Sequence, residues 1–371
     1  MSRQTHSRCH RDLPGRGLVA GAAIAGLLSL AAGCGAASAS HLVINARPAA
    51  AHEAIQPAAG EASLGSLRSA NRLHKRRRVH VGNSFPTTGG TLFGGNDGLA
   101  RQTTAFGRNL AIVRVYYQIG GTFPSYIDTQ HMKEGATLLV SLDSPGQSYA
   151  SIAAGQYDAT ILAFLRAVNR AAFQYGLRSI YVSFQHEPDS PQHAGFGSPA
   201  QFVRAWDHVH QLAESASLDW NQGGRLRWVL ILIHGTYAGE AGAYWPGSGE
   251  ADIVAADGYN SYRCGHDWQQ QMPTPAELFN PLLSFAAAHG LPAFISEWGS
   301  DTSTSNAQPQ FIQQMQAYLA SNRNIAAAMY WDDGGTGRGS CNYRVDGHPA
   351  SLAAMATLGH SAMMQGSASV G

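Results

Sequence analysis

Residues 179–189 read SIYVSFQHEPD. Residues 179–185 are almost continuously apolar or β-compatible, and the run then breaks at His186-Glu187-Pro188-Asp189. A short apolar run without alternation reads as a strand buried on both faces, as in a parallel sheet. Residues 199–215 follow, with Phe202, Trp206, Val209 and Ala213 at helical spacing and Ser198 placed as an N-cap. A second continuous run, LRWVLILI at 226–233, comes next. Strand, amphipathic helix, strand is the signature of a parallel βαβ unit.

The same unit repeats in both directions. Strand-like runs occur at 79–83, 111–117, 137–142, 179–185, 226–233, 252–257, 293–296 and 325–331. Between them, 158–174 places Ile161, Leu165, Val168 and Ala172 on one face, with Asp158 as its N-cap. Residues 308–321 do the same with Phe311, Met315 and Tyr318. Eight strand–helix units in about 280 residues predict a (β/α)8 TIM barrel. An open doubly wound sheet is the competing architecture, but no G-x-G-x-x-G follows the first strand.

Charge divides the chain in two. The formal net charge of the 371 residues is +1. Residues 1–78 carry 11 Lys+Arg and 3 Asp+Glu, which leaves 14 basic and 21 acidic groups for the rest. An acidic body argues against a nucleic-acid partner. The basic leader reads as a targeting segment over 1–39. Arg3, Arg8, Arg11 and Arg16 precede an apolar run at 18–32. Two ends are open: cleavage after Ala37-Ser38-Ala39, or a lipoprotein signal ending before Cys34 in Leu30-Ala31-Ala32-Gly33-Cys34, with Cys34 then lipidated. A membrane contact is expected only through that anchor. Residues 40–78 read as a disordered linker rich in Ala, Ser, Pro and Arg, 79–360 as the barrel, and 361–371 as a flexible tail. Export to an oxidising compartment favours a disulfide between Cys264 and Cys341, the two cysteines of the body.

In a barrel the chemistry lies at the C-terminal ends of the strands. The fourth run ends in Glu187 and the seventh in Ser296-Glu297-Trp298-Gly299. The sixth ends in Asp257-Gly258-Tyr259-Asn260 and the eighth in Tyr330-Trp331-Asp332-Asp333. A glutamate directly after an apolar strand is costly unless it is used or paired. Two of them facing one cavity satisfy the requirement of glycoside hydrolysis, one carboxyl protonated and the other ionised. Asp257 and Asp189 read as structural or loop-capping. No H-E-x-x-H, no G-x-S-x-G and no metal-ligand spacing is present, and no cofactor is expected.

Four stretches together resemble glycoside hydrolase family 26, within the retaining clan A enzymes. They are Ser151-Ile152-Ala153-Ala154-Gly155-Gln156-Tyr157-Asp158, His186-Glu187, Trp245-Pro246-Gly247 followed by 252–260, and Ser296-Glu297-Trp298-Gly299. The resemblance implies Glu187 as acid/base and Glu297 as nucleophile. It implies His186 against the sugar or Glu187, Tyr259 donating to the nucleophile, and Trp331 as the floor of the −1 subsite. Trp245, Trp268 and Trp298 are further candidates for a glycan cleft, and His193 or Phe196 for another subsite. Many family members carry arginine three residues before the histidine, where this chain has Ser183. The expected partner is a neutral polysaccharide, best β-1,4-mannan, acted on by a monomer. A glucanase or xylanase of the same clan, and a non-catalytic glycan-binding barrel, are the alternatives.

Overall fold

The computed structural model describes residues 89–96, 99–264, 271–302, 307–335 and 340–367. The candidate lipidation site Cys34, the leader and linker segments, the run at 79–83 and Trp268 lie outside the described residues. Eight parallel strands close into a barrel in sequence order: β1 (Leu92–Gly95), β2 (Ile112–Gln118), β3 (Thr137–Asp143), β4 (Ile180–Phe184), β5 (Leu226–Ile233), β6 (Ile253–Asn260), β7 (Ala293–Ser300) and β8 (Ile325–Tyr330). The helices are α1 (Leu99–Phe106), α2 (Tyr126–Lys133), α3 (Tyr149–Ala153), α4 (Asp158–Gln174), α5 (Pro199–Ser215), α6 (Ala241–Tyr244), α7 (Pro275–His289), α8 (Ala307–Ser321) and α9 (Pro349–His360). This is the (β/α)8 architecture that the strand–helix repeat predicts.

Two apolar clusters fix it. Leu92, Ile112, Leu139, Tyr181, Val229, Ile231, Ile253, Ala255, Phe294, Ala327 and Met329 fill the barrel interior. The alternate strand residues pack outward on the helices. The predicted helix faces are the buried ones: Ile161, Leu165, Val168 and Ala172 of α4, and Phe202, Trp206, Val209 and Ala213 of α5. Helix starts are set by local chemistry. Ser198 and Gln201 form a capping box with Pro199 at the first turn, and Thr274 and Glu277 repeat it on α7. Asp158 is the first helical residue of α4 and not its cap, which is Tyr157. Its carboxylate instead accepts from His208 of α5 at 2.7 Å.

The first strand differs from expectation. Barrel closure uses Leu92-Phe93-Gly94-Gly95, which pairs with β8 through Leu92–Ala327 and with β2 through Gly94–Ile112. A Cβ on Gly94 would stand 2.5 Å from Met329 Cγ and 2.6 Å from the Ile112 carbonyl oxygen. Glycine is therefore demanded by close packing at a place where it reads as a turn. The C-terminal segment also differs. Residues 361–367 dock across the start of β1 and are no free tail. Thr91 donates to the Met363 carbonyl at 2.8 Å, Gly366 donates to the Thr91 carbonyl at 3.1 Å, and Met364 is fully buried.

Candidate active site

The end of β4 turns sharply. Gln185 and Glu187 both have left-handed backbone, φ 59° and 43°. Such conformations cost non-glycine residues of order 1 kcal/mol or more and persist only when the surroundings impose them. Here the Gln185 side chain accepts from the Ser144 amide at 3.1 Å. Asp143, the last residue of β3, accepts from the His186 amide at 2.7 Å. The Glu187 carbonyl accepts from the Ser190 amide at 2.9 Å and from His193 Nδ1 at 2.7 Å. His193 thus braces the backbone of Glu187, and its ring lies 5.2 Å from that of Phe196. Asp189 caps the next loop by accepting from the Ile233 amide at 2.9 Å and from the Thr236 hydroxyl.

Glu297 reaches the site through a β-bulge. The register of β6 on β7 shifts from Ala256–Ile295 to Asp257–Glu297. Strict alternation from Phe294, which faces the barrel interior, would turn Ser296 and Trp298 inward and Glu297 outward. The extra residue lets Ser296 and Glu297 both face inward, a known use of bulges beside active sites. Ser296 donates to Asp257 Oδ1 at 2.6 Å. Trp298 is consequently a wall residue: it is fully buried, 4.7 Å from the Tyr330 ring and 6.3 Å from Phe311 of α8. It is not a cleft aromatic. Nor is Trp245, whose ring packs on Phe285 and His289 at the far end of α7.

Around Glu297 the donors converge. Tyr116 donates to Oε1 and Tyr259 to Oε2. Arg114, buried in the barrel on β2, brings Nε to 3.6 Å from Oε1, and its guanidinium lies 4.3 Å over the Tyr116 ring. Burial and the Asp257 charge push the Glu297 pKa up, against His186, Arg114 and the Tyr116 hydrogen bond. Glu187 has different surroundings. Burial, then the charges of Asp257, Glu297 and Asp189, push its carboxyl far above the usual carboxylate range. Of the two carboxyls, Glu297 is therefore the one whose ionised form is solvated by the protein.

His186 stands between them. Its Nε2 is 4.0 Å from Glu187 Oε1 and 3.5 Å from Glu297 Oε1, so both carboxyls approach one imidazole. The same nitrogen is 2.5 Å from Asp257 Oδ2. Burial, and then the Arg114 charge, lower the imidazole pKa to about 4. Trp331 continues β8 by donating its amide to the Trp298 carbonyl at 2.8 Å, and its ring meets Tyr116 edge-on at 5.9 Å. Tyr116 is 38% exposed. Tyr116 and Trp331 thus form an aromatic wall beside Glu297.

The atoms of His186, Asp257 and Glu297 lie within 4.8 Å of one another, a set that a cation could share. Each is already engaged by a hydrogen bond: His186 with Asp257, Asp257 with Ser296, and Glu297 with Tyr116 and Tyr259. The second such set contains Cys264 and Cys341, whose sulfurs are joined in a disulfide.

Sequence reading brought Glu187, Glu297, His186, Tyr259 and Trp331 together, and the structure places them at one end of the barrel. It missed Arg114 and Tyr116, and it set Asp257 aside as structural. The signal for the first two was available: Ile112, Arg114 and Tyr116 alternate along β2, and an arginine inside IVRVYYQ needs a buried partner. No arginine stands at Ser183; the guanidinium beside Glu297 comes from β2.

No protein-family model matches the sequence, and no curated protein matches it. Solved structures do. The catalytic domain of a Bacillus sp. family 26 endo-β-1,4-mannanase superposes with a TM-score of 0.53 at 13% identity, over 74% of this chain and 86% of that one. A Cellulomonas fimi endo-β-1,4-mannanase gives 0.54 at 15% identity, over 74% and 71%. A family 26 protein from Muricauda gives 0.52 at 12% identity, over 74% and 86%. The fold is that of the glycoside hydrolase family 26 TIM barrels.

Proposed function

We propose that the chain is a retaining glycoside hydrolase that cleaves β-glycosidic bonds in a neutral polysaccharide. One observation carries the reading: two carboxyls flank the His186 imidazole in opposite surroundings. Glu187 is held protonated by burial and like charges, while Glu297 is held between two phenols and a guanidinium. Glu187 gives its proton to the glycosidic oxygen as a Glu297 carboxylate oxygen attacks the anomeric carbon. The bond to the leaving sugar breaks, and a covalent glycosyl ester forms. Water then attacks the same carbon, Glu187 takes its proton, and Glu297 departs as a carboxylate. Tyr116 and Tyr259 orient the attacking group, and Trp331 offers a ring face to the sugar.

β-1,4-Mannan is the substrate we favour, because two of the structures of the same fold are named as endo-β-1,4-mannanases. A neutral glycan suits a site whose arginine, Arg114, is committed to Glu297. Export, with or without a lipid on Cys34, completes the proposal and rests on the leader sequence. Reducing-sugar release from mannan, xylan, lichenan and cellulose, with Glu187→Gln and Glu297→Gln as controls, tests the activity. Release from one polysaccharide that both variants abolish supports the reading. Binding without release from any of them would favour a glycan-binding barrel.

A further inference from the structure

We propose that Tyr343, on the loop after β8, is a positioning residue for Glu297 that acts through Tyr259, and that the Cys264–Cys341 disulfide holds it in place. The inference rests on the role of Glu297 given above. The Tyr343 ring stacks on Tyr259 with centroids 4.9 Å apart and planes 25° apart. Tyr259 is the phenol that donates to Glu297 Oε2. A phenol held by one hydrogen bond can swing about its side-chain bonds, whereas a ring packed face to face cannot.

Tyr343 is itself fixed from several sides. Its amide donates to the Asp333 carbonyl at 2.9 Å. Its carbonyl accepts from the Tyr330 hydroxyl at 2.6 Å and from Gln308 Nε2 at 3.1 Å. Its hydroxyl is 3.2 Å from Ser261 Oγ. The strand between the two loops makes room for it: a Cβ on Gly299 would stand 3.0 Å from Tyr343 Cγ and 3.3 Å from Tyr259 Cδ1. Glycine two residues after Glu297 is therefore the seat of this ring pair.

The covalent clip joins the same two segments. Cys264 follows Tyr259 and Ser261 on the loop after β6, and Cys341 precedes Tyr343. The bridge spans 77 residues of sequence with Cα atoms 5.0 Å apart. Beside it, the Asn342 amide donates to Asp301 at 2.6 Å and the Thr302 amide donates to the Asn342 carbonyl at 3.0 Å. Loops six and eight are thus fastened over β7, which carries Glu297.

Carboxyl-carbon NMR titration of Glu297, assigned by its loss in Glu297→Gln, tests this without requiring turnover. The proteins are the full chain as wild type, Tyr343→Ala, Tyr343→Phe and the paired Cys264→Ser/Cys341→Ser variant. Losing an aligned donor disfavours the carboxylate, so Tyr343→Ala is expected to raise the Glu297 titration by roughly half a unit to one unit. Tyr343→Phe keeps the stack and should titrate as wild type. The cysteine variant should move in the direction of Tyr343→Ala, and it decides the matter if Tyr343→Ala does not fold. With the polysaccharide that wild type cleaves, kcat of Tyr343→Ala should fall roughly tenfold with KM nearly unchanged. An unmoved titration in folded Tyr343→Ala, or a Phe variant as shifted as Ala, overturns the inference. A shifted titration in a protein that cleaves nothing sustains it and overturns the catalytic reading instead.

Discussion

Asp257 Oδ2 and His186 Nε2 share a hydrogen bond of 2.5 Å that ties β6 to the turn carrying Glu187. Burial and Arg114 keep the imidazole neutral above about pH 4, so its N–H donates to Asp257. Burial pushes the Asp257 carboxyl pKa up to about 6, and the group is negative above that pH. That charge is among the causes that raise the Glu187 pKa, second to burial. Asp257→Asn removes it. Glu187 then loses its proton at lower pH, and the alkaline limb of kcat/KM against pH should move down by about one unit. An alkaline limb that stays in place would show that Glu187 is not the acid.

Arg114 acts on the other carboxyl. Its guanidinium is the cation closest to Glu297 Oε1 at 3.6 Å among the described arginines. Arg114→Met removes a positive charge that opposes the burial of Glu297. The Glu297 pKa should rise, moving the acid limb of kcat/KM to higher pH, with a rate loss on the order of 10²-fold at the former optimum. Arg114→Lys should restore little, because a point charge does not reproduce the planar stack over Tyr116. The same pH–rate profiles read both variants.

Far from the cleft, His210 of α5 is buried between Asp219 at 3.3 Å and Glu250 at 2.9 Å. Burial alone would lower its pKa. The hydrogen bonds and charges of Asp219 and Glu250 overcome that and push it up to about 9. A folded-state pKa above the usual 6.5 contributes stability that is complete below about pH 6.5 and lost as pH rises through about 9. The full contribution is on the order of 3 kcal/mol. Thermal unfolding should therefore show Tm falling roughly 5–10 °C across that window. His210→Asn should be less stable at pH 6 and should lose this slope.

Closure at β1 predicts a fourth outcome. A methyl group on Gly94 meets Met329 Cγ at 2.5 Å and the Ile112 backbone oxygen at 2.6 Å. The methionine can yield, but the strand cannot. Gly94→Ala should cost about 1–3 kcal/mol in urea unfolding. An unchanged midpoint would mean that β1 is not held as tightly as its pairing with β2 and β8 indicates.

What was legible in the sequence follows from which forces leave a local trace. Continuous apolar runs such as Val229-Leu230-Ile231-Leu232 and amphipathic faces such as that of α5 record burial directly, so seven of the eight strands and the class of fold could be read. β1 could not, because Gly94 and Gly95 are selected by close packing and read as a turn. The carboxylates at strand ends were visible because a charge after an apolar run is expensive. Trp298 was misplaced because a one-residue bulge reverses the side-chain alternation, and nothing in Ser296-Glu297-Trp298 announces it. Arg114, Asp257 and Tyr343 act on Glu297 and Glu187 from positions far apart in sequence, and their roles exist only once the barrel closes.

Attack of Glu297 on the sugar is read out by trapping the ester. The reagent is a 2-deoxy-2-fluoro glycosyl fluoride of the sugar that the enzyme cleaves, followed by peptide mass mapping. Time-dependent inactivation and one glycosyl group, carried on Glu297, are the expected outcome. Attachment to any other residue, or an enzyme that resists the reagent while its first product has the inverted anomeric configuration, would contradict it.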